Sequence, residues 1–94
     1  MKKYYIVRTE KAGVFFGEIV ERKGNEIKMK NARGIWYWNG ACGLAQLATD
    51  GTTKPDNCKF TVVVDEIELL GVTEIIPCTQ KAEASLKAVK VWSV

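Results

Sequence analysis

A chain of 94 residues, 47% hydrophobic and 27% charged with a formal net charge of +3, has the composition of one globular domain spanning residues 1–94. A chain of that size buries roughly 60–65% of its unfolded surface and needs no staple. Low complexity and disorder are excluded by composition. The apolar run Tyr4-Tyr5-Ile6-Val7 ends at Arg8, far short of a signal h-region or a membrane span, so the sequence predicts a cytoplasmic protein with no membrane contact.

Tyr4 to Val7 is aromatic and β-branched, Thr9 to Gly13 carries turn chemistry, and Val14 to Val20 resumes the strand pattern with Gly17 inside it. Glu21 to Asn25 is a second turn, after which Glu26-Ile27-Lys28-Met29-Lys30 alternates, with Ile27 and Met29 inward and the lysines outward. If this third strand runs on unbroken, Ile35 and Tyr37 fall on the core side and Trp36 and Trp38 on the exposed face. A bulge or turn at Gly34 would exchange the two faces.

Leu44, Leu47 and Ala48 have helical spacing within Gly40 to Thr49, and Asp50-Gly51 with Lys54-Pro55-Asp56-Asn57 closes that segment as a loop. Cys58 to Leu69 reads as one long strand bent or broken near Asp65, and Val72 to Pro77 as the last strand. Thr79 is the expected N-cap of a helix from Gln80 to Val89, with Ala82, Leu86 and Val89 on one stripe. Trp92, in the tail Lys90-Val91-Trp92-Ser93-Val94, is expected to pin that tail to a groove or a neighbouring subunit.

Five strands and two short helices make a mainly β chain, and the expected architecture is a small, strongly bent antiparallel barrel. The pattern of residues 4 to 30 resembles the first three strands of SH3-like and Sm-like barrels, and Sm-like proteins assemble through strand edges. The string Asn31-Ala32-Arg33-x-x-Trp36-Tyr37-Trp38, with Leu44-x-Gln46-Leu47-Ala48, Lys54-Pro55-x-x-Cys58-Lys59-Phe60 and Glu74-Ile75-Ile76-Pro77-Cys78-Thr79, resembles a family of small proteins of tailed bacteriophages and prophages. That resemblance implies a phage origin and action in the cytoplasm of an infected bacterium.

Three cysteines without a Cys-x-x-Cys pair, and no histidine, argue against a disulfide framework and a zinc site; they are expected to be small thiols in a reducing compartment. Catalysis also lacks candidates: there is no Ser-plus-base set and no Gly-rich phosphate loop, and Asp65, Glu66 and Glu68 read as a solvated strand face. The chain is therefore expected to be a non-enzymatic binding protein with no cofactor and no metal.

Charge is uneven, with nine Lys or Arg against four Glu in residues 1–40, and five Lys against seven Asp or Glu in residues 41–94. Aromatic rings, Arg and Asn concentrate between Lys30 and Ala41, which suits a planar anionic ligand. The expected ligand is a small nucleotide-like molecule, such as a cyclic oligonucleotide immune signal sequestered as a counter-defence. Trp36, Tyr37 or Trp38 would stack on the base, Arg33 would clamp phosphate at the surface with support from Lys30 and Arg8, and Asn31 or Asn39 would read a base edge. RNA or single-stranded DNA, running on a track of Lys2, Lys3, Arg8, Lys28 and Lys30, is the alternative. Inhibition of a host defence protein through the exposed aromatics is a further one. Free strand edges and the apolar tail predict a homo-oligomer.

Overall fold

The computed structural model describes residues 3–92, so Lys2, Ser93 and Val94 lie outside the described residues. Six strands occur in the order β1 (Tyr4–Thr9), β2 (Val14–Lys23), β3 (Glu26–Tyr37), β4 (Lys59–Phe60), β5 (Val64–Leu69) and β6 (Val72–Pro77). Helix α1 (Leu44–Asp50) follows β3, and helix α2 (Gln80–Lys87) follows β6. The strands form one antiparallel sheet in the order β4-β3-β2-β1-β6, with β5 also paired to β3. The chain is thus mainly β with two short helices, but the expected barrel is not closed. Only Leu70 and Gly71 separate β5 from β6, yet these two strands pair with β3 and β1 and not with each other, which leaves the bent sheet open between them.

Both faces of the sheet are covered. Tyr4, Ile6, Phe16, Ile35 and Phe60 pack under the helices against Leu44, Leu47, Ala82 and Leu86. On the other face, Val7, Ile27, Met29, Ala32 and Leu69 form a second cluster inside the curl of the sheet. Ile27 and Met29 are inward as the alternation requires. Thr79 caps α2, its hydroxyl accepting from the Ala82 N–H at 3.1 Å, and α1 is held to that corner by the Thr79 N–H donating to the Ala48 carbonyl at 3.0 Å.

Besides a shift between Arg8 and Thr9 where β1 meets β6, the register departs from strict pairing at three positions along β2 and β3. Phe16 faces Arg33 but Glu18 faces Lys30, so Gly17 alone opposes Asn31 and Ala32. Asn31 takes φ 51°, a left-handed conformation that Asn tolerates better than most residues. A Cβ on Gly17 would lie 2.8 Å from the Ala32 Cα, so the close approach requires glycine. Farther along β2, Val20 is the extra residue between the Ile19–Met29 and Glu21–Lys28 pairs. At the end of β3, Trp36 is the extra residue between the Ile35–Phe60 and Tyr37–Lys59 pairs.

The phase shift lies at Asn31, not at Gly34. It moves Ile35 to the helix-covered face while Ile27 and Met29 stay on the other, and Ile35 is buried either way because both faces are covered. Tyr37, expected on the core side, is 48% exposed, since the bulge at Trp36 ends regular pairing there. Trp38, expected on the exposed face, is half-buried against the helix-side cluster. The long strand after Cys58 breaks at residues 61–63 and not at Asp65. Thr61 is drawn to β3 there, its N–H donating to the Gly34 carbonyl at 2.9 Å and its hydroxyl accepting from the Gly34 N–H at 2.7 Å.

Cys58 and Cys78 are buried and Cys42 is exposed, and all three are free. Burial, with the nearby Glu83 carboxylate, pushes the Cys78 thiol up to about 12. Native protein treated with iodoacetamide under mildly alkaline conditions should gain one adduct, on Cys42, by mass spectrometry, with Cys58 and Cys78 reacting after unfolding. Gly17→Ala should lower stability by about 1–3 kcal/mol in thermal unfolding, because the added methyl meets backbone and not a movable side chain.

Candidate functional site

Trp36 is pushed outward by its own bulge and stands 66% exposed at the rim of the sheet. Its ring stacks on that of Trp92, with centroids 4.9 Å apart and planes at 12°. The pairing brings the tail back onto the sheet: Val91 bridges Phe60, and the Trp92 N–H donates to the Phe60 carbonyl at 2.9 Å. Trp92 therefore pins the tail, to this chain's own β4. Lys59, on β4, carries its ammonium over both rings, 5.1 Å from Trp36 and 5.2 Å from Trp92. Such exposed contacts contribute about 0.5–1 kcal/mol each. Lys59 has no carboxylate partner among the described residues. Tyr37, Val62 and Val91 are exposed on the same strands or their connections. Two indoles and an unneutralised cation at one rim form a flat apolar platform with a positive edge.

Arg33 is elsewhere. Expected as a surface clamp, it is 4% exposed. Its Nε donates to the Thr61 carbonyl at 3.1 Å, and its Nη1 to the Val89 and Leu86 carbonyls at 2.7 and 3.4 Å. The guanidinium also lies 5.0 Å from the centre of the Phe60 ring. Burial lowers its pKa from the usual arginine value, which still leaves it charged at neutral pH. The correction has a simple cause: the bulge at Asn31 turns Arg33 toward the C-terminal end of α2, where free carbonyls and the helix dipole favour a cation.

The other expected residues disperse. The Asn31 side-chain amide donates to Glu18 at 2.8 Å, and the Asn39 side-chain oxygen accepts from the Gly40 N–H at 2.7 Å, so both serve local turns. Lys30 faces Glu18 on one side and Glu66 on the other, Lys28 faces Glu68, and Arg8 is 3.9 Å from Glu74. Three members of the expected basic track, Arg8, Lys28 and Lys30, thus lie beside carboxylates. Arg8 and Trp38 do come together, on a cleft of about 450 Å³ with Val14, Leu44 and Glu74. Of the expected stacking residues, only Trp36 and Tyr37 belong to the platform rim. Lys59 went unnoticed as a site residue because Cys58-Lys59-Phe60 reads as an ordinary strand, and nothing local links Lys59 to a tryptophan on the next strand.

Among the described residues no group of three or more His, Cys, Asp and Glu could hold a metal ion, and no helix is long and apolar enough to cross a membrane.

The model of the family described as Domain of unknown function (DUF6948) matches residues 2–86. No curated protein and no solved structure matches the chain. The family match ends before Trp92, so it includes Trp36 and Lys59 but not the ring that stacks on them.

Arg33→Met should lower stability by about 2–4 kcal/mol in thermal or urea unfolding, because the carbonyls of Thr61, Leu86 and Val89 lose their donor.

Proposed function

The chain belongs to the DUF6948 family, and we propose that this member is a non-enzymatic binding protein that takes a single-stranded nucleic acid on the Trp36–Trp92 platform. The observation that carries the proposal is the ring pair itself, exposed at a strand rim with Lys59 over both rings. Solvent-facing indole is costly unless something covers it, and a nucleobase does so while its phosphate meets the ammonium. An open platform suits a base within a strand, whose neighbours extend beyond the rim, better than it suits a small molecule that must be enclosed to be held.

The nucleotide-sequestering reading keeps one specific observation in its favour, the cleft of about 450 Å³ where Trp38 and Arg8 meet. That volume is within the usual range of small-ligand pockets. Glu74, 3.9 Å from Arg8, argues against an anion there. On either reading, the resemblance to small tailed-phage proteins sets the proposed site of action in the cytoplasm of an infected bacterium, as a counter-defence.

Tryptophan fluorescence titration with short RNA and DNA oligomers, and with cyclic dinucleotides, tests the proposal. Oligomers should quench the emission, and Trp36→Ala should weaken their binding by about 1–3 kcal/mol with little change in melting temperature. Lys59→Ala should lower the slope of log affinity against log salt by about 0.7. Binding of the cyclic dinucleotide alone, unaffected by Trp36→Ala and lost in a Trp38 variant, would transfer the site to the cleft. Unaltered oligomer binding by Trp36→Ala would end the platform reading.

A further inference from the structure

We propose that the seam between Trp36 and Trp92 is a subsite for one nucleobase, and that Lys90 to Trp92 form a strap that swings out and recloses on it. This rests on the platform reading above and goes further: the base lies between the two rings, not on an outer face. The rings already stand as an indole and a stacked guest do, nearly parallel at 12° with centroids 4.9 Å apart. Trp92 thus fills the face of Trp36 that a base would take. Lys59 marks the seam. Its ammonium is 5.1 Å from one centroid and 5.2 Å from the other, so it stands level with the gap between the rings and caps neither outer face. A base entering that gap brings its phosphate beside the ammonium, whereas a base on an outer face leaves its phosphate a ring thickness farther away.

The strap is hinged at Lys90. Before it the chain is fixed: Val89 is buried, and its carbonyl accepts from the Arg33 Nη1 at 2.7 Å. After it, Val91 and Trp92 are exposed, and among the described residues one backbone hydrogen bond, from the Trp92 N–H to the Phe60 carbonyl, ties them to β4 at the Val91–Phe60 bridge. The dock is rigid where the strap is not, since Phe60 is fully buried and paired with Ile35 of β3. Admitting a base needs the indoles about 7 Å apart, two van der Waals contacts of about 3.5 Å each. A strap held by one backbone hydrogen bond opens that far by local unfolding, while Arg33 keeps α2 on the sheet. The movement falls to Trp92 and not to Trp36, because Ile35 and Tyr37 on either side of Trp36 are paired with β4.

Nuclear Overhauser spectra of the full chain with an adenine tetranucleotide, as DNA and as RNA, test the seam. In the free chain the two indoles should show cross-peaks to each other, and in the complex these should give way to cross-peaks from one adenine to both rings. In stopped-flow fluorescence, Trp92→Ala should raise the dissociation rate of the tetranucleotide about tenfold and leave its association rate within about twofold, and Trp92→Phe should recover most of that loss. Hydrogen exchange tests the hinge without a ligand. The Trp92 N–H should exchange about a hundredfold faster than the Thr61 N–H, which donates to the Gly34 carbonyl, and its rate should not respond to low urea. Adenine cross-peaks to one ring only, an unchanged dissociation rate or tighter binding in Trp92→Ala, or exchange at Trp92 as slow as at Thr61 would overturn the strap and leave the platform in place. No binding of the tetranucleotide, or binding that Trp36→Ala leaves unaltered, would remove the platform and the subsite with it.

Discussion

The one-residue bulge opposite Gly17 decides which side of the sheet each residue of the Asn31 to Trp38 run presents. Without it, alternation would carry Arg33 along the same face as Ile27 and Met29. With it, Ala32 takes the inward position beside Met29, and Arg33 turns under the helices. Two residue choices make this possible, and they act together. Glycine at 17 lets the strands approach, and Asn31 accepts the left-handed conformation while tying its side chain to Glu18. The bulge then fixes the tertiary structure, because Arg33 reaches the break after β4 and the end of α2 from one position.

A charge held at 4% exposure is costly, and the burial of Arg33 would destabilise the fold if its hydrogen bonds were not made. Three carbonyls accept from it, each charge-assisted bond contributing about 1.5–3 kcal/mol, and the negative end of α2 adds about 0.3–1 kcal/mol. Nη2 has no hydrogen-bond partner among the described residues, so the compensation is incomplete. What the arrangement supplies beyond energy is uniqueness: three acceptors from two separate segments can meet one planar fork in only one docking of α2 on the sheet. Aliphatic side chains at this point would permit the helix to slide.

The strands, the two helices and the Thr79 cap were legible because each depends on local pattern: alternation at Glu26 to Lys30, helical spacing at Leu44, Leu47 and Ala48, and a hydroxyl ahead of Gln80. The exposure of Trp36 was not legible from parity, which held only for an unbroken strand: Trp36 is exposed because it is itself a bulged residue. Nor was the fate of Arg33 legible. Its partners lie 28, 53 and 56 residues away, and no local signal distinguishes a guanidinium aimed at a ligand from one aimed at a helix end. The barrel expectation went wrong for a similar reason. The strands are those of a closed sheet, but closure depends on whether β5 and β6 pair after their tight turn, and each finds its partner on a different strand instead. Within the basic track, β5 lays Glu66 and Glu68 beside Lys30 and Lys28, a cross-strand fact that counting charges by segment cannot see.

What remains at the surface follows from how those pairings consume charge. Lys28, Lys30 and Arg8 face carboxylates, whereas Lys59, on the short strand β4, faces Tyr37 across the pairing and has no carboxylate partner among the described residues. The carboxylates of β5 and β6 are matched in the same way, Glu66 by Lys30, Glu68 by Lys28 and Glu74 by Arg8. The edge at β4 is therefore aromatic and cationic, set by Trp36, Trp92 and Lys59. Both sheet faces are filled with side chains that pack into two hydrophobic clusters. The proposed recognition follows from the β4 edge, which offers a base a π-face and its phosphate a cation beside it.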